Sequence, residues 1–334
     1  MPMLVPTSSG IALQLQQEQL ILDGRGDLVF ISHAHSDHSS GAKKSKRLIS
    51  SPETIDLMHS RNYADSQAMQ KKLVSTADFN YELLDAGHVL GSKQLHISNG
   101  FSFTYTGDFK TKDSLTNKGA EIRQADTLLM ECTYGLPYYK FPDPTDVYAE
   151  MEKWVDLQLK EGSSIIIGGY ALGKAQEVIK ILNDYCDVTP IVSSEIFKIS
   201  NVYLKHGINL KFINETSDEA KQILKKQFVA VVPHHFANYG YAGRLSEFYG
   251  MPVRSAVATG WALGARYAVD KAFCISDHCD FPDLMEFVEQ VAPERIITTH
   301  GYEKEFAREL TKRGYDAQPL GNLKPKKQKL LLQY

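Results

Sequence analysis

The amino-acid sequence predicts an α/β protein. Apolar runs rich in strand formers recur along its 334 residues, and many of them close on Gly, Asp or His. Segments of helical period separate them, at residues 146–160, 282–291 and 303–312. Between residues 163 and 233, strand patterns alternate with helical stretches, as in a parallel sheet with crossover helices.

The elements justify that class in order. Residues 11–16 and 19–23 are two short strands joined by a tight turn, the second ending on Asp23. An apolar strand at 27–32 then opens into Ser-His33-Ala-His35-Ser-Asp37-His38-Ser-Ser-Gly41. Residues two apart in an extended chain point the same way, so His33 and His35 can grip one metal. If the chain then turns into a helix, Asp37 and His38 swing out beside them. A short strand at 47–50 and a helix from Pro52 follow. The strand at 79–84 leads to His88. The runs 94–98 and 101–106 alternate across Asn99-Gly100, a hairpin signal. The second run ends at Gly107-Asp108, and the strand at 125–131 ends on Glu131. Thr145 is the expected cap of the helix at 146–160, after Pro144. A buried strand, the turn at Gly168-Gly169 and a helix carrying Lys174 come next, with strands near 190, 210 and 228. The strand at 272–276 leads to His278, and the one at 295–299 to His300.

Composition narrows the class. Hydrophobic residues make up 43% and charged residues 23%, as in an ordinary globular protein. The four cysteines show no CxxC spacing, which argues against a disulfide framework or a cysteine-only zinc site. No signal peptide or membrane span is expected, so the expected location is the cytoplasm. A net charge of −3 does not advertise nucleic-acid binding. Two basic runs stand out against it: Lys43, Lys44, Lys46 and Arg47 directly after the histidine loop, and Lys324, Lys326, Lys327 and Lys329 near the C-terminus. Such runs are usually solvated faces; the first has a suggestive address.

Strand after strand therefore ends on a group that can hold a cation. Burying such groups without partners is costly. A single zinc takes three or four protein ligands. His33, His35, Asp37, His38, His88, Asp108 and His300 number seven, which suits two divalent ions sharing a carboxylate. Such a pair clamps the attacking and leaving oxygens of a phosphoryl displacement. Imidazole and carboxylate suit zinc, with manganese as an alternative. His59, His96, His234 and His235 close no strand of this kind and are expected to be structural or solvated.

Asp23, His33-x-His35-x-Asp37-His38, Gly87-His88 and Gly107-Asp108 resemble, in order, the four motifs of the metallo-β-lactamase superfamily. Glu131 in Glu-Cys-Thr-Tyr-Gly, His278 in Ile-Ser-Asp-His-Cys-Asp and His300 in Thr-His-Gly resemble the three further motifs of its β-CASP branch. The stretch from Tyr170 to Glu177 resembles the opening helix of the β-CASP insertion. The likeness covers nearly the whole chain. It implies an αββα sandwich with a dinuclear metal edge, split by an inserted α/β unit: residues 1–144 and 269–334 for the sandwich, 145–268 for the insertion.

The resemblance also implies a nuclease cutting single-stranded DNA or RNA. Asp37 would ligate metal and orient the nucleophile, Asp108 would bridge the metals, and His278, fixed by Glu131, would act as general acid. Lys174 at a helix start and the run 43–47 are candidate phosphate contacts. Two groups within the branch are similar to this chain: exonucleases associated with bacterial DNA ligases, and archaeal mRNA 3′-end processing factors. The resemblance leaves the protein partner open, with a DNA ligase or an RNA-processing complex as the candidates. The rival readings are a small-molecule hydrolase of lactamase or glyoxalase type, and a non-catalytic subunit of a processing complex.

Overall fold

The computed structural model describes residues 3–7, 10–15, 18–62, 66–73, 79–98 and 100–323. Asn99 of the expected hairpin and the basic run from Lys324 lie outside the described residues.

The first sheet has five strands in chain order: β1 (Met3–Thr7), β2 (Gly10–Gln14), β3 (Gln19–Leu22), β4 (Leu28–Phe30) and β5 (Arg47–Ile49). The first three pair antiparallel, and β3, β4 and β5 run parallel. Short helices α1 (Ser36–Ser39), α2 (Pro52–Ser60) and α3 (Ser66–Gln70) accompany it. The second sheet begins with β6 (Tyr81–Asp85), β7 (Lys93–Ser98) and β8 (Ser102–Tyr105), all antiparallel, then β9 (Thr127–Cys132), parallel to β8.

Helix α4 (Pro144–Lys160) leads into a third sheet. Its strands are β10 (Ser164–Gly169), β11 (Ile191–Val192), β12 (Ile213–Asn214), β13 (Val229–Pro233), β14 (Val253–Ala258) and β15 (Lys271–Phe273). They pair parallel in the order β12-β11-β13-β10-β14-β15, with α5 (Lys174–Asp184), α6 (Ser194–Lys205), α7 (Asp218–Ile223) and α8 (Tyr239–Tyr249) between them. The chain then forms α9 (Phe281–Val291) and returns to the second sheet with β16 (Arg295–Gly301), α10 (Glu303–Lys312) and β17 (Ala317–Pro319).

Strand alternation builds the layers. In β4, Leu28 and Phe30 face a core shared with Leu95, Phe103, Leu129 and Ile297 of the second sheet. Val29 faces the other way, toward Ile55, Leu57 and Met58 of α2. On the far side, Leu128, Met130 and Ile296 pack against Leu284, Phe287 and Val288 of α9 and Leu310 of α10. The result is helix, sheet, sheet, helix, the αββα sandwich expected. In β10, Ile165 and Ile167 share a face while Ile166 joins a separate cluster with Ala220 and Ala242, so the parallel sheet is covered on both sides.

One local expectation needs correction. Thr145 does not cap α4. Asp143 does, its Oδ1 accepting from the Thr145 N–H at 2.9 Å. Pro144 has no N–H and fits the first helical position, so the cap falls before it. Strand β14, a central neighbour of β10, had no counterpart in the sequence reading. Among the described residues, no helix is long and apolar enough to cross a membrane.

Candidate metal centre

Strand ends deliver the ligand-type side chains to one edge of the sandwich. After β4 the chain stays extended through His33 and His35, then enters α1 with Asp37 and His38 in its first turns. Asp108 follows Gly107 in the loop after β8. Gly107 has φ +57°, and a Cβ there would lie 2.6 Å from the Ser32 Cβ, so only glycine lets that loop approach. His300 sits in β16 where the pairing to β9 shifts register, with φ +54°. That bulge re-aims its ring toward His38, with ring centres 5.0 Å apart. Gly301 completes the bulge, since a Cβ there would meet Thr133 Cα at 2.3 Å.

His33 Nε2 and His88 Nε2 each lie 3.0 Å from His35 Nδ1. The opposite ring atoms decide where the protons are. His88 Nδ1 lies 2.9 Å from the Asp277 carbonyl and His35 Nε2 3.3 Å from the Leu172 carbonyl, and a carbonyl only accepts. The Ser32 hydroxyl donates to Asp23 Oδ2 at 2.6 Å, so His33 Nδ1, 3.0 Å from Ser32 Oγ, must donate to it. In the neutral rings the three inward nitrogens are therefore all bare lone pairs. Burial pushes His33 and His88 well below the usual imidazole range and lowers His35, aided by neighbouring imidazoles at His33 and His88. Three lone pairs facing one another repel, and a cation among them removes the conflict.

A second cluster adjoins the first. His38, Asp108 and His300 offer ligand atoms within 4.8 Å of one another, as do His33, His35, His88 and Asp108. One oxygen, Asp108 Oδ2, lies 3.6 Å from His33 Nε2, 3.8 Å from His88 Nε2 and 3.5 Å from His38 Nε2. Asp37 Oδ2 is 3.7 Å from His38 Nε2, on a largely exposed side chain. His38 Nδ1 donates to Asp23 Oδ2 at 2.7 Å. Burial pulls the His38 pKa down, but Asp108 and then Asp23 outweigh it and push it up to about 10. Asp23 is thus a hub behind the ligands, also accepting from the Ser32 N–H at 2.7 Å and the Tyr105 hydroxyl at 2.8 Å. The imidazole and carboxylate donors of both clusters fit divalent ions of zinc type.

Beside the first cluster, His278 Nδ1 donates to Glu131 Oε1 at 2.7 Å. Glu131 also accepts from the N–H groups of Thr133 at 2.7 Å and Phe109 at 3.3 Å. Burial would raise this carboxyl, but His278 and the Thr133 N–H hold it below the usual range. Burial would lower His278, but Glu131 overrides it and pushes the imidazole up to about 9. The ring nitrogen not held by Glu131 remains for a cavity of about 310 Å³, whose lining includes His35, Asp37, Asp108, Tyr134, Trp261 and His278.

The remaining candidates fare differently. Lys174 lines the cavity but is only 2% exposed, and its ammonium lies 3.0 Å from Asp277 Oδ1. That charge holds Asp277 well below the carboxylate range against the effect of burial. Asp277 escaped the sequence reading, although it directly precedes His278. In the basic run, Lys46 pairs with Asp27 at 2.8 Å and Arg47 with Glu18. Lys43 and Lys44 are exposed and form no ion pair among the described residues. His96 is buried against Thr104 Oγ1 at 2.9 Å, as a structural histidine.

Residues 271–318 match the family of Zn-dependent metallo-hydrolase RNA specificity domains. The chain is 32% identical over 304 residues to a probable DNA ligase of Opitutus terrae, covering 87% of this chain and 28% of that protein. It is 27% identical to the probable RNase MJ4 of Methanocaldococcus jannaschii, covering 88% and 86% of the two. With the transcription termination factor FttA of Pyrococcus abyssi it shares 24% identity, over 85% of this chain and 58% of the relative. With its ordered motifs, αββα sandwich, parallel insertion and clustered histidines, the chain belongs to the metallo-β-lactamase superfamily, in the β-CASP nuclease branch.

Proposed function

We propose that the protein is a metal-dependent nuclease that hydrolyses phosphodiester bonds of single-stranded DNA or RNA, using two divalent ions, zinc by expectation. One observation carries the reading: two ligand clusters share the Asp108 carboxylate beside His278, which is held by the buried Glu131. His33, His35, His88 and Asp108 would hold one ion, and Asp37, His38, Asp108 and His300 the other. When bound, such ions lower the pKa of an attacking water and neutralise phosphate charge.

The chain's own groups do the rest. Asp23, Ser32, Leu172 and Asp277 fix the imidazole tautomers. Glu131 holds the His278 ring by Nδ1, leaving Nε2 to protonate the leaving oxygen. The cavity of about 310 Å³ beside these groups is where a nucleotide would be placed. Lys174, with its charge held by Asp277, acts in this reading as a positioning group in place of the expected phosphate contact. Lys43 and Lys44 remain the candidates for backbone contact. The inserted unit follows the parallel sheet, from about residue 145 through β15, slightly past the expected end at 268.

The deciding experiment measures metal content together with turnover on end-labelled single-stranded DNA and RNA, alongside a β-lactam and a thioester. Two ions per chain with nucleic-acid cleavage alone is the expected result. Turnover of only the small molecules would favour a lactamase or glyoxalase type of hydrolase. Metal without any turnover would favour a non-catalytic subunit.

A further inference from the structure

Tyr170 follows β10 directly and begins the turn that leads to α5. Its neighbours Gly169 and Leu172 are buried, yet its own side chain is 54% exposed. One face of the ring is held: the His234 ring lies parallel to it, 9° between planes and 5.7 Å between centres. His234 is itself braced by the edge of Tyr267 at 5.7 Å. The Tyr170 hydroxyl makes no hydrogen bond among the described residues, so the phenol group plays no evident part in the fold. The same residue lines the cavity that holds Asp108 and His278.

Other aromatic rings nearby are already engaged. Tyr134 and Trp261 also line the cavity, but they pack on each other at 4.6 Å, and both pack on Tyr139. Tyr138 is exposed but does not line it. Among the described residues, Tyr170 alone combines a braced ring, an exposed face and a place in the cavity wall. Resting on the nuclease reading above, we propose that this face is a nucleobase subsite, on which the base of a nucleotide beside the scissile phosphate stacks. Stacking uses the π-face that every base has, so the subsite accepts all four bases and requires an unpaired strand. Inside a duplex both faces of a base are covered by the stacked neighbouring pairs.

The test compares wild type, Tyr170→Ala and Tyr170→Phe on two single-stranded oligomers, one normal and one with abasic residues throughout. Bound metal is measured for each protein. Tyr170→Ala should raise KM on the normal strand by on the order of tenfold. On the abasic strand it should match wild type, because no base remains to stack. Tyr170→Phe, which keeps the ring, should behave as wild type on both. Equal losses on both strands, or no loss on either, would overturn the subsite while leaving the nuclease reading intact. A metal-loaded wild type that cleaves neither strand would overturn both.

Discussion

His278 and His300 each follow an apolar strand pattern, yet their rings meet different partners. His278 donates to the buried Glu131 carboxylate and turns to the cavity, whereas His300 sits on a bulge with its ring beside His38. His300→Ala should therefore lower metal occupancy as well as rate. His278→Ala should retain both ions and cleave more slowly by about 10²–10⁴ in single turnover, the usual cost of removing a general acid. Loss of a metal on His278→Ala would reassign that residue as a ligand. The ligand-type residues were legible in the sequence because strand ends and histidine spacing are local signals. Their supports were not. Tyr105 and Ser32 read as ordinary strand residues, and only the fold brings both to Asp23. Leu172 contributes through its backbone carbonyl, which no side-chain pattern can mark.

At the scale of elements, the basic run after the histidine loop divides in two. Lys46 and Arg47 have carboxylate partners, so exchanging them for Gln should barely change substrate affinity. Lys43→Gln with Lys44→Gln should weaken binding and make the slope of log K against log salt shallower by about 1.4 on a single strand, roughly 0.7 for each phosphate left without its lysine. A wild-type slope in both double variants would mark the whole run as a solvated face. Helix α5 carries the other element-scale consequence. Lys174 at its first turn holds Asp277, whose carbonyl fixes His88, while Leu172 just before it fixes His35. Lys174→Met leaves the Asp277 carboxylate without its cation and should lower the metal-free melting temperature. It should also loosen metal by roughly 10–100-fold in chelator competition, as expected for an outer support of a ligand. Unchanged metal retention would reduce the pair to packing. Long elements such as α10 were read from periodicity alone. Strand β14 was missed because its Arg254 and Ser255 interrupt the apolar run, and its place beside β10 is a long-range fact.

For the whole molecule, metal and stability are linked, because an unfolded chain cannot hold these ligands together. Adding zinc to metal-free protein should raise its melting temperature. The gain corresponds to about 2.7 kcal/mol per ion at a hundredfold excess over Kd. A melting temperature indifferent to zinc and chelator would contradict a built site. The α/β class was legible because strand patterns and amphipathic helices are written locally, while the αββα layering followed only from the resemblance of the ordered motifs. The parallel insertion was legible as a type, while its strand order and the cavity beside it arise only on packing.

The hydrogen bond from His35 to the Leu172 carbonyl spans 137 positions, and that from His88 to Asp277 spans 189. A ribosome delivers the histidine loop early and its two acceptors far later, with His300 later still. Until then the imidazoles are free to choose either tautomer, and a captured ion would meet an incomplete set of ligands. On the two-metal reading, tight metal capture would come last in biogenesis, after synthesis has passed His300 and the two ends of the chain have met at the second sheet.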